Sequence, residues 1–217
     1  MLDLQGYEAS IMKGAVITIE VALLSLLLAM LLGMLGALAK LSSMYWARAI
    51  ATAYTTIIRG KPDLVLMMLI FFGGQMLLNN SLYAINESIN EWFSSSDPEH
   101  EWMAYLPDYI DVSPFIAGVL TIGFIFGAYM AETFRGAIMA VDKGELEAAK
   151  AYGMGPLLTF RRVLLPQMIR HALPGFGNNW LVLLKTTALV SIIGLEDMVR
   201  MSSLAAGSTK MPFTFYM

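Results

Sequence analysis

Residues 145–166 read ELEAAKAYGMGPLLTFRRVLLP, a polar interruption between two strongly apolar regions. Asp142 and Glu145 are spaced like a capping pair, and Ala148, Ala149 and Ala151 are good helix formers, so the spacing predicts a short helix. Gly153 stands where a left-handed residue would end that helix. Gly155-Pro156 makes a corner, and Pro156 can open a second helix. The alanine-rich face is low and flat, which lets a partner approach the backbone closely, while Lys150, Arg161 and Arg162 flank it. A plain connection between membrane helices would be shorter and less organised. The stretch reads as a docking surface.

The apolar regions on either side set the class. Of 217 residues, 57% are hydrophobic and only 14% charged, and the mean hydropathy is +0.63. That is the composition of a polytopic membrane protein, not of a typical soluble domain. A net charge of −3 and a pI near 5.4 argue against a nucleic-acid partner, because phosphate binding needs a basic surface. The absence of cysteine excludes disulfides and thiolate metal sites. His100 and His171, far apart in sequence, do not point to a metal centre. The first apolar run, Gly14 to Ala39, is preceded by Asp3 and Glu8 and is far longer than a signal-peptide core of roughly 7–15 residues. It reads as a retained membrane helix.

Four crossings are expected along one transmembrane domain covering residues 1–217. The first runs from about Ala15 to Ala39, with Gly33 and Gly36 supplying a small-residue packing face and Lys40 ending it. Met44 to Ile58 is a moderately apolar helix placed at the cytoplasmic boundary, and the basic cluster Arg59-Gly60-Lys61-Pro62 is assigned to the aqueous interface. The second crossing is then Asp63 to Leu78. No Lys or Arg occurs between Lys61 and Arg135, whereas Glu87, Glu91, Asp97, Glu99, Glu101, Asp108 and Asp111 do. By the positive-inside rule, residues 79–112 form an external loop. Its Trp92, Phe93, Trp102, Tyr105 and Tyr109 read equally as an interfacial aromatic belt or as a recognition surface. The third crossing, Pro114 to Met139, returns inward to the basic side carrying Arg135, Lys143, Lys150, Arg161, Arg162 and Arg170. The fourth spans Phe176 to Gly194, with an external tail from Leu195 to Lys210, after which Met211 to Met217 looks like the start of another apolar segment.

The opening stretch also carries a resemblance. Glu147-Ala148-Ala149, Gly153 after three intervening residues, and Val163-Leu164-Leu165-Pro166 resemble the "EAA…G…I-LP" signature of the membrane subunits of ABC importers, with Val163 at the signature isoleucine. The flanking GAYMAETFRGAI and LPGFGNNWLVLLKTTALVSIIGLEDM are similar to the polar amino-acid branch, nearest to permease subunits for histidine or for lysine, arginine and ornithine. The resemblance implies an all-α, type I permease bundle of about five helices, the last missing or truncated here, in the bacterial inner membrane with a periplasmic amino terminus. It implies import of basic amino acids by alternating access, with glutamine or glutamate as the alternative substrate. The implied partners are a second homologous permease subunit, two ABC ATPase subunits and a periplasmic substrate-binding protein. No cofactor is bound directly; ATP and Mg are used by the ATPase partner. Residues 142–166 become the cytoplasmic coupling segment, with ATPase docking by Glu145, Glu147, Ala148, Ala149, Tyr152, Gly153, Arg161 and Arg162. Pro166 and Pro174 are the natural pivots towards the fourth crossing.

No P-loop, nucleophile elbow or zinc-ligand helix is present, so no catalytic residue or metal ligand is assigned and the chain is not read as an enzyme. Candidates for a substrate path remain. Glu20 either reaches water near the outer interface or stands in the permeation path. Glu132 and Arg135, three apart on one helix face, form either a structural ion pair or a gate. Asn178 and Lys185 share a face of the fourth crossing with Thr186 and Thr187 nearby, and Lys185 could meet a substrate carboxylate or pack against a partner subunit. Related permeases often carry an acidic residue directly after this Lys, where Thr186 stands here. The carboxylate for a basic side chain would then be Glu20, Glu132 or one from a companion permease subunit, and the last of these favours a heterodimer.

Overall fold

The computed structural model describes residues 6–94, 107 and 109–216, and the described residues form helices and short connections with no strand. The chain opens with α1 (Glu8–Leu41), α2 (Tyr45–Arg59) and α3 (Asp63–Met68), which passes through a π turn, Leu69–Gly73, into α4 (Gly74–Ser94). Then come α5 (Pro114–Met139), the short α6 (Lys143–Ala151) and α7 (Pro156–Thr159), a second π turn at Phe160–Leu164, and α8 (Leu165–Thr186). A 3₁₀ turn, Thr187–Ile193, extends α8; α9 (Met198–Thr209) and α10 (Pro212–Tyr216) follow. Glu8–Leu41, Asp63–Ile89, Pro114–Met139 and Pro156–Ile193 are each long and apolar enough to cross a membrane. These are the four expected crossings, and α5 has the predicted bounds. Pro114 can start α5 because its missing N–H would be unpaired there anyway, and the Ser113 hydroxyl accepts from the Ile116 N–H at 3.3 Å.

α5 is the hub, packing on α1, α2, α3 and α8. It runs parallel to α1: the Ser25 hydroxyl donates to the Val119 carbonyl at 3.3 Å near one end, and Lys40 meets Glu132 near the other. In lipid no hydrophobic force presses helices together, so small residues that allow close backbone approach decide the pairing. A Cβ added at Gly33 would lie 3.0 Å from the Met130 carbonyl carbon and 3.2 Å from the Ala131 nitrogen. Reciprocally, Gly123 receives Leu28 and Gly127 receives Leu32. The leucines on the opposite face of α1, among them Leu23, Leu27, Leu31 and Leu35, stay exposed. On the α8 side, Gly118 abuts Val190 and Gly175 abuts Thr133. α9 folds back on the start of α1, where the Met198 N–H donates to the Thr18 hydroxyl at 3.1 Å and the Phe215 ring meets Tyr7 edge-on at 6.1 Å.

A charged cluster ties the other end. Lys40 is ion-paired with Glu132 and donates to the Thr55 hydroxyl at 2.8 Å; the Arg135 Nε donates to the second Glu132 oxygen at 3.1 Å. The pair of residues three apart was legible, but Lys40, which makes it a three-helix tie among α1, α2 and α5, was not.

Two boundaries differ from expectation. The second crossing does not stop at Leu78: helix continues to Ser94, so the predicted external loop 79–112 begins as helix. The polar run Asn79-Asn80-Ser81 reads as a helix end, yet Asn79 is held by another strand of chain, accepting from the Ile110 N–H at 2.8 Å. Gln75 accepts from the Val112 N–H at 3.1 Å in the same way. Tyr109 joins this contact, its hydroxyl accepting from Gln75 at 3.2 Å. Trp92 and Phe93, as side chains, and Trp102 and Tyr105 altogether lie outside the described residues. The fourth crossing begins earlier than Phe176, because α7, the π turn and α8 are continuous. Pro166 has no N–H and its ring clashes with the carbonyl four residues back; the wider π turn just before it accommodates that misfit.

The packing makes two measurable demands. Gly33→Ala should lower stability by roughly 1–3 kcal/mol, the range for overpacking, whereas Gly136→Ala, with nothing within 4 Å of its added Cβ, should be neutral or slightly stabilising. Thermal melts in detergent that place both on a par would remove the close-approach argument. Glu132→Gln leaves Lys40 half-satisfied and should cost roughly 1–3 kcal/mol. The double replacement Lys40→Met with Glu132→Leu should recover most of that loss, since it removes both charges together.

Candidate functional site

The coupling segment folds as its residues dictate. The Asp142 carboxylate caps α6, accepting from the Gly144 N–H at 2.7 Å. At the other end Gly153 has φ +75°, and two bonds close a Schellman motif: Gly153 N–H to the Lys150 carbonyl at 2.9 Å and Met154 N–H to the Ala149 carbonyl at 3.0 Å. Gly155 and Pro156 then start α7. Glu145 does not complete a capping box; it accepts from the Gln167 side chain and so ties α6 to α8. Glu147, Ala148 and Gly153 are exposed, as are Arg161 and Arg162. Ala149 is a correction: it is 6% exposed, turned inward against the body, and helps seat α6 without offering a surface. Tyr152, at 89% exposure, and Leu157, at 80%, project most. Leu157 was missed; a leucine just after a helix-opening proline is a readable sign of an apolar prominence.

The proposed path residues do not form one cluster. Glu20 is exposed on α1, among exposed Val16, Ile19, Leu23 and Leu24. Glu132 is committed to Lys40 and Arg135. On α8, Asn178 and Lys185 are both exposed on one face. Thr186 and Thr187 are corrections: both are buried, and their hydroxyls return to their own helix, at the Val182 carbonyl (2.9 Å) and the Leu184 carbonyl (2.7 Å). At 100° per residue they point away from Lys185. The buried amide on α8 is that of Asn179, which donates to the Thr133 hydroxyl at 3.0 Å.

The basic cluster after α2 packs against α5. The Arg59 guanidinium carbon lies 5.7 Å from the centre of the Tyr129 ring, and the Tyr129 hydroxyl donates to Asp63 Oδ1 at 3.3 Å. Tyr129 is ten residues before Met139, the end of α5, which is about 15 Å along the helix. The turn therefore lies at the level of Tyr129, one helical turn from Glu132 and the charged cluster at that end.

Asp197, also unforeseen, caps α9 by accepting from the Arg200 N–H at 2.9 Å. Its other oxygen is buried without a protein partner among the described residues, and burial pushes the carboxyl up against the opposing pull of the backbone N–H groups. Among the described residues, no three His, Asp or Glu side chains come together as a metal site requires.

The chain is matched by known proteins along nearly its whole length. The family model for the binding-protein-dependent transport system inner membrane component covers residues 12–217. The histidine/lysine/arginine/ornithine transport system permease protein HisQ of Salmonella typhimurium is 50% identical over 212 residues, 98% of this chain and 84% of that protein. The octopine transport system permease protein OccQ of Rhizobium radiobacter is 40% identical over 212 residues, 98% of this chain and 81% of that protein. A solved structure described as an amino acid ABC transporter with histidines aligns with a TM-score of 0.74 at 30% identity, covering 99% of this chain and 86% of that one. The chain belongs to the binding-protein-dependent transport system inner membrane component family, the permease subunits of type I ABC importers, and is similar to HisQ within it.

Proposed function

We propose that this permease subunit carries basic amino acids (histidine, lysine, arginine and ornithine) inward across the bacterial inner membrane by alternating access. The observation that supports the substrate class is the 50% identity to a permease for those four, maintained over 98% of the chain. The energy comes from ATP and Mg at two ABC ATPase subunits, and a periplasmic binding protein delivers the substrate. The end bearing α6 is cytoplasmic, because Lys40, Arg135, Lys143, Lys150, Arg161, Arg162 and Arg170 gather there. The amino terminus and α9 are then periplasmic.

The ATPase grips α6 by Glu147, Ala148, Tyr152 and Gly153, with Leu157, Arg161 and Arg162 alongside. A helix closed at both ends by backbone geometry moves as a body, so its displacement is not lost in fraying. A second, homologous permease chain covers the exposed face of α1 and the exposed Asn178 and Lys185 of α8. The polar face so enclosed is the substrate path, since a cation at that depth faces protein or water, not lipid. Lys185 attracts the substrate carboxylate, and the acidic group that meets a basic side chain comes from the companion chain.

Glu147→Lys and Gly153→Asp should each abolish arginine uptake in membrane vesicles and reduce co-purification of the ATPase, while the protein still inserts and the bundle still melts cooperatively. Normal uptake in both variants would defeat the docking assignment. In the reconstituted complex, unlabelled arginine, lysine and histidine should each compete with labelled arginine, and glutamine should not. Competition by glutamine alone would replace the substrate class.

A further inference from the structure

α9 is set apart from the bundle by its ends and by its packing. Left-handed residues bound it, Gly194 at φ +101° before it and Lys210 at φ +57° after it, so the helix between them can turn as a unit about two sharp corners. Its inner face, Ala205 and Ala206, packs with Phe215 of α10 on Tyr7 and Ile11 as a cluster of its own, separate from the core that joins α1, α5 and α8. A small separate cluster opens more readily than the body on which it rests. The seat is tight at the first turn of α9. A Cβ added at Gly14 of α1 would lie 2.9 Å from the Asp197 carbonyl and from the Met198 nitrogen, and the Met198 N–H donates to the Thr18 hydroxyl at 3.1 Å.

Asp197 sits in that seat at 1% exposure. Its Oδ1 caps α9 through the Arg200 N–H, while Oδ2 is buried with no protein partner among the described residues. The surroundings do little to balance a charge there. From α1 the seat is made by Gly14 and Thr18, and Glu8, Lys13 and Glu20 of that helix are exposed. Glu196, Lys210 and Tyr216 are exposed as well. Arg200 pulls on the carboxyl, but its guanidinium is also engaged by the Ser191 carbonyl of the 3₁₀ turn at 3.1 Å. Burying a half-satisfied carboxylate is costly, and burying the neutral acid much less so. Once α9 lifts from α1, water reaches Oδ2 and the ion is favoured. The seated helix therefore holds a proton more firmly than the lifted one, in keeping with a carboxyl that burial pushes up.

We infer that α9 is a proton-sensitive latch, which closes on the start of α1 when Asp197 is protonated and loosens when Asp197 is ionised. The sign follows from linkage. The hold is complete below the ordinary carboxylate value of ~4 and is lost as pH rises through the higher value of the seated form. The latch acts on α8, which runs into α9 through the 3₁₀ turn. Val190 of that turn abuts Gly118 of α5, and Arg200 ties α9 to Ser191. A closed latch joins the ends of α1, α5 and α8; an open one frees α8 from α1. On the permease reading above, this is the end from which substrate arrives, so acidity on that side restrains the movement of α8.

The test is a distance measurement in the complete complex, with cysteine-free companion permease and ATPases, in detergent. The chain has no cysteine of its own, so Met12→Cys on α1 and Leu204→Cys on α9, both exposed positions, accept nitroxide labels for double electron–electron resonance. The ratio of seated to lifted α9 should rise about twofold or more from about pH 7 to about pH 5, one proton allowing at most about tenfold per pH unit. Asp197→Asn, which keeps the cap and cannot ionise, should abolish the pH response. Thr18→Val, which removes the acceptor for the Met198 N–H, should lower the ratio at every pH and leave the response in place. Where α9 is seated at both pH values, Gly14→Ala weakens the seat and brings the lifted form into range, and the same response is expected in that background. A ratio independent of pH in both the labelled parent and Gly14→Ala overturns the inference. So does an equal response in Asp197→Asn. No substrate enters the measurement, so a failure of the permease reading, seen as uptake of a different substrate or of none, is separate from a failure of the latch.

Discussion

The close approach of α1 and α5 is the constraint on which the other placements depend. With Gly33 against Met130 and Gly127 against Leu32, the two axes are fixed in distance and in register. That register brings Lys40 to Glu132, and through Thr55 it positions α2. Because α2 is then pinned to α5, the turn that follows it reaches Tyr129. The other side of α5 is set by the same kind of contact, Gly118 with Val190 and Gly175 with Thr133. A bundle held by glycine contacts in lipid has little other cohesion to draw on, since its leucines are as content in lipid as in protein.

The number of crossings and the ends of α5 were legible because they follow from length, hydropathy and a proline start. The coupling helix was legible for a different reason: Asp142, Gly153 and Pro156 each have one comfortable place relative to a helix terminus. What could not be read was orientation about the helix axes. α1 is apolar all round, so periodicity does not reveal its buried face, and only the glycines do. Ala149 is indistinguishable from Ala148 in sequence, yet one faces the body and the other faces out. Thr186 and Thr187 next to Lys185 look like a polar group, but neighbours in a helix diverge by about 100° and cannot share a face.

Tertiary contacts were the other illegible quantity. Nothing in Arg59-Gly60-Lys61-Pro62 shows that α2 lies against the middle of α5, with the Tyr54 hydroxyl bonded to the Phe124 carbonyl, or that Arg59 meets the Tyr129 ring. The extent of α4 was hidden for a related reason: Asn79, just after Leu78, is the place where a second segment crosses and supplies its backbone groups.

The two ends of the site are mechanically connected by the same helix. α6 leaves the body through the buried Val141 at the end of α5, and Glu145 binds it to Gln167 on α8. A push on α6 thus reaches α5 and α8 together, and the contact between them, Gly175 on Thr133, is only one turn from Tyr129. The Thr133 hydroxyl donates to the Tyr129 carbonyl at 3.2 Å and receives the Asn179 amide at 3.0 Å. Rigid helices transmit displacement where they are packed and yield where hydrogen bonding is irregular. In this chain the irregular places include the two π turns and the Gly60–Pro62 turn; Phe160–Leu164 carries Arg161 and Arg162 and the Gly60–Pro62 turn carries Lys61, charges that a moving partner would meet, while Leu69–Gly73 is apolar. Conformational change confined to those three places leaves the glycine contacts of α1 and α5 intact, so the scaffold can stay fixed while its attachments move.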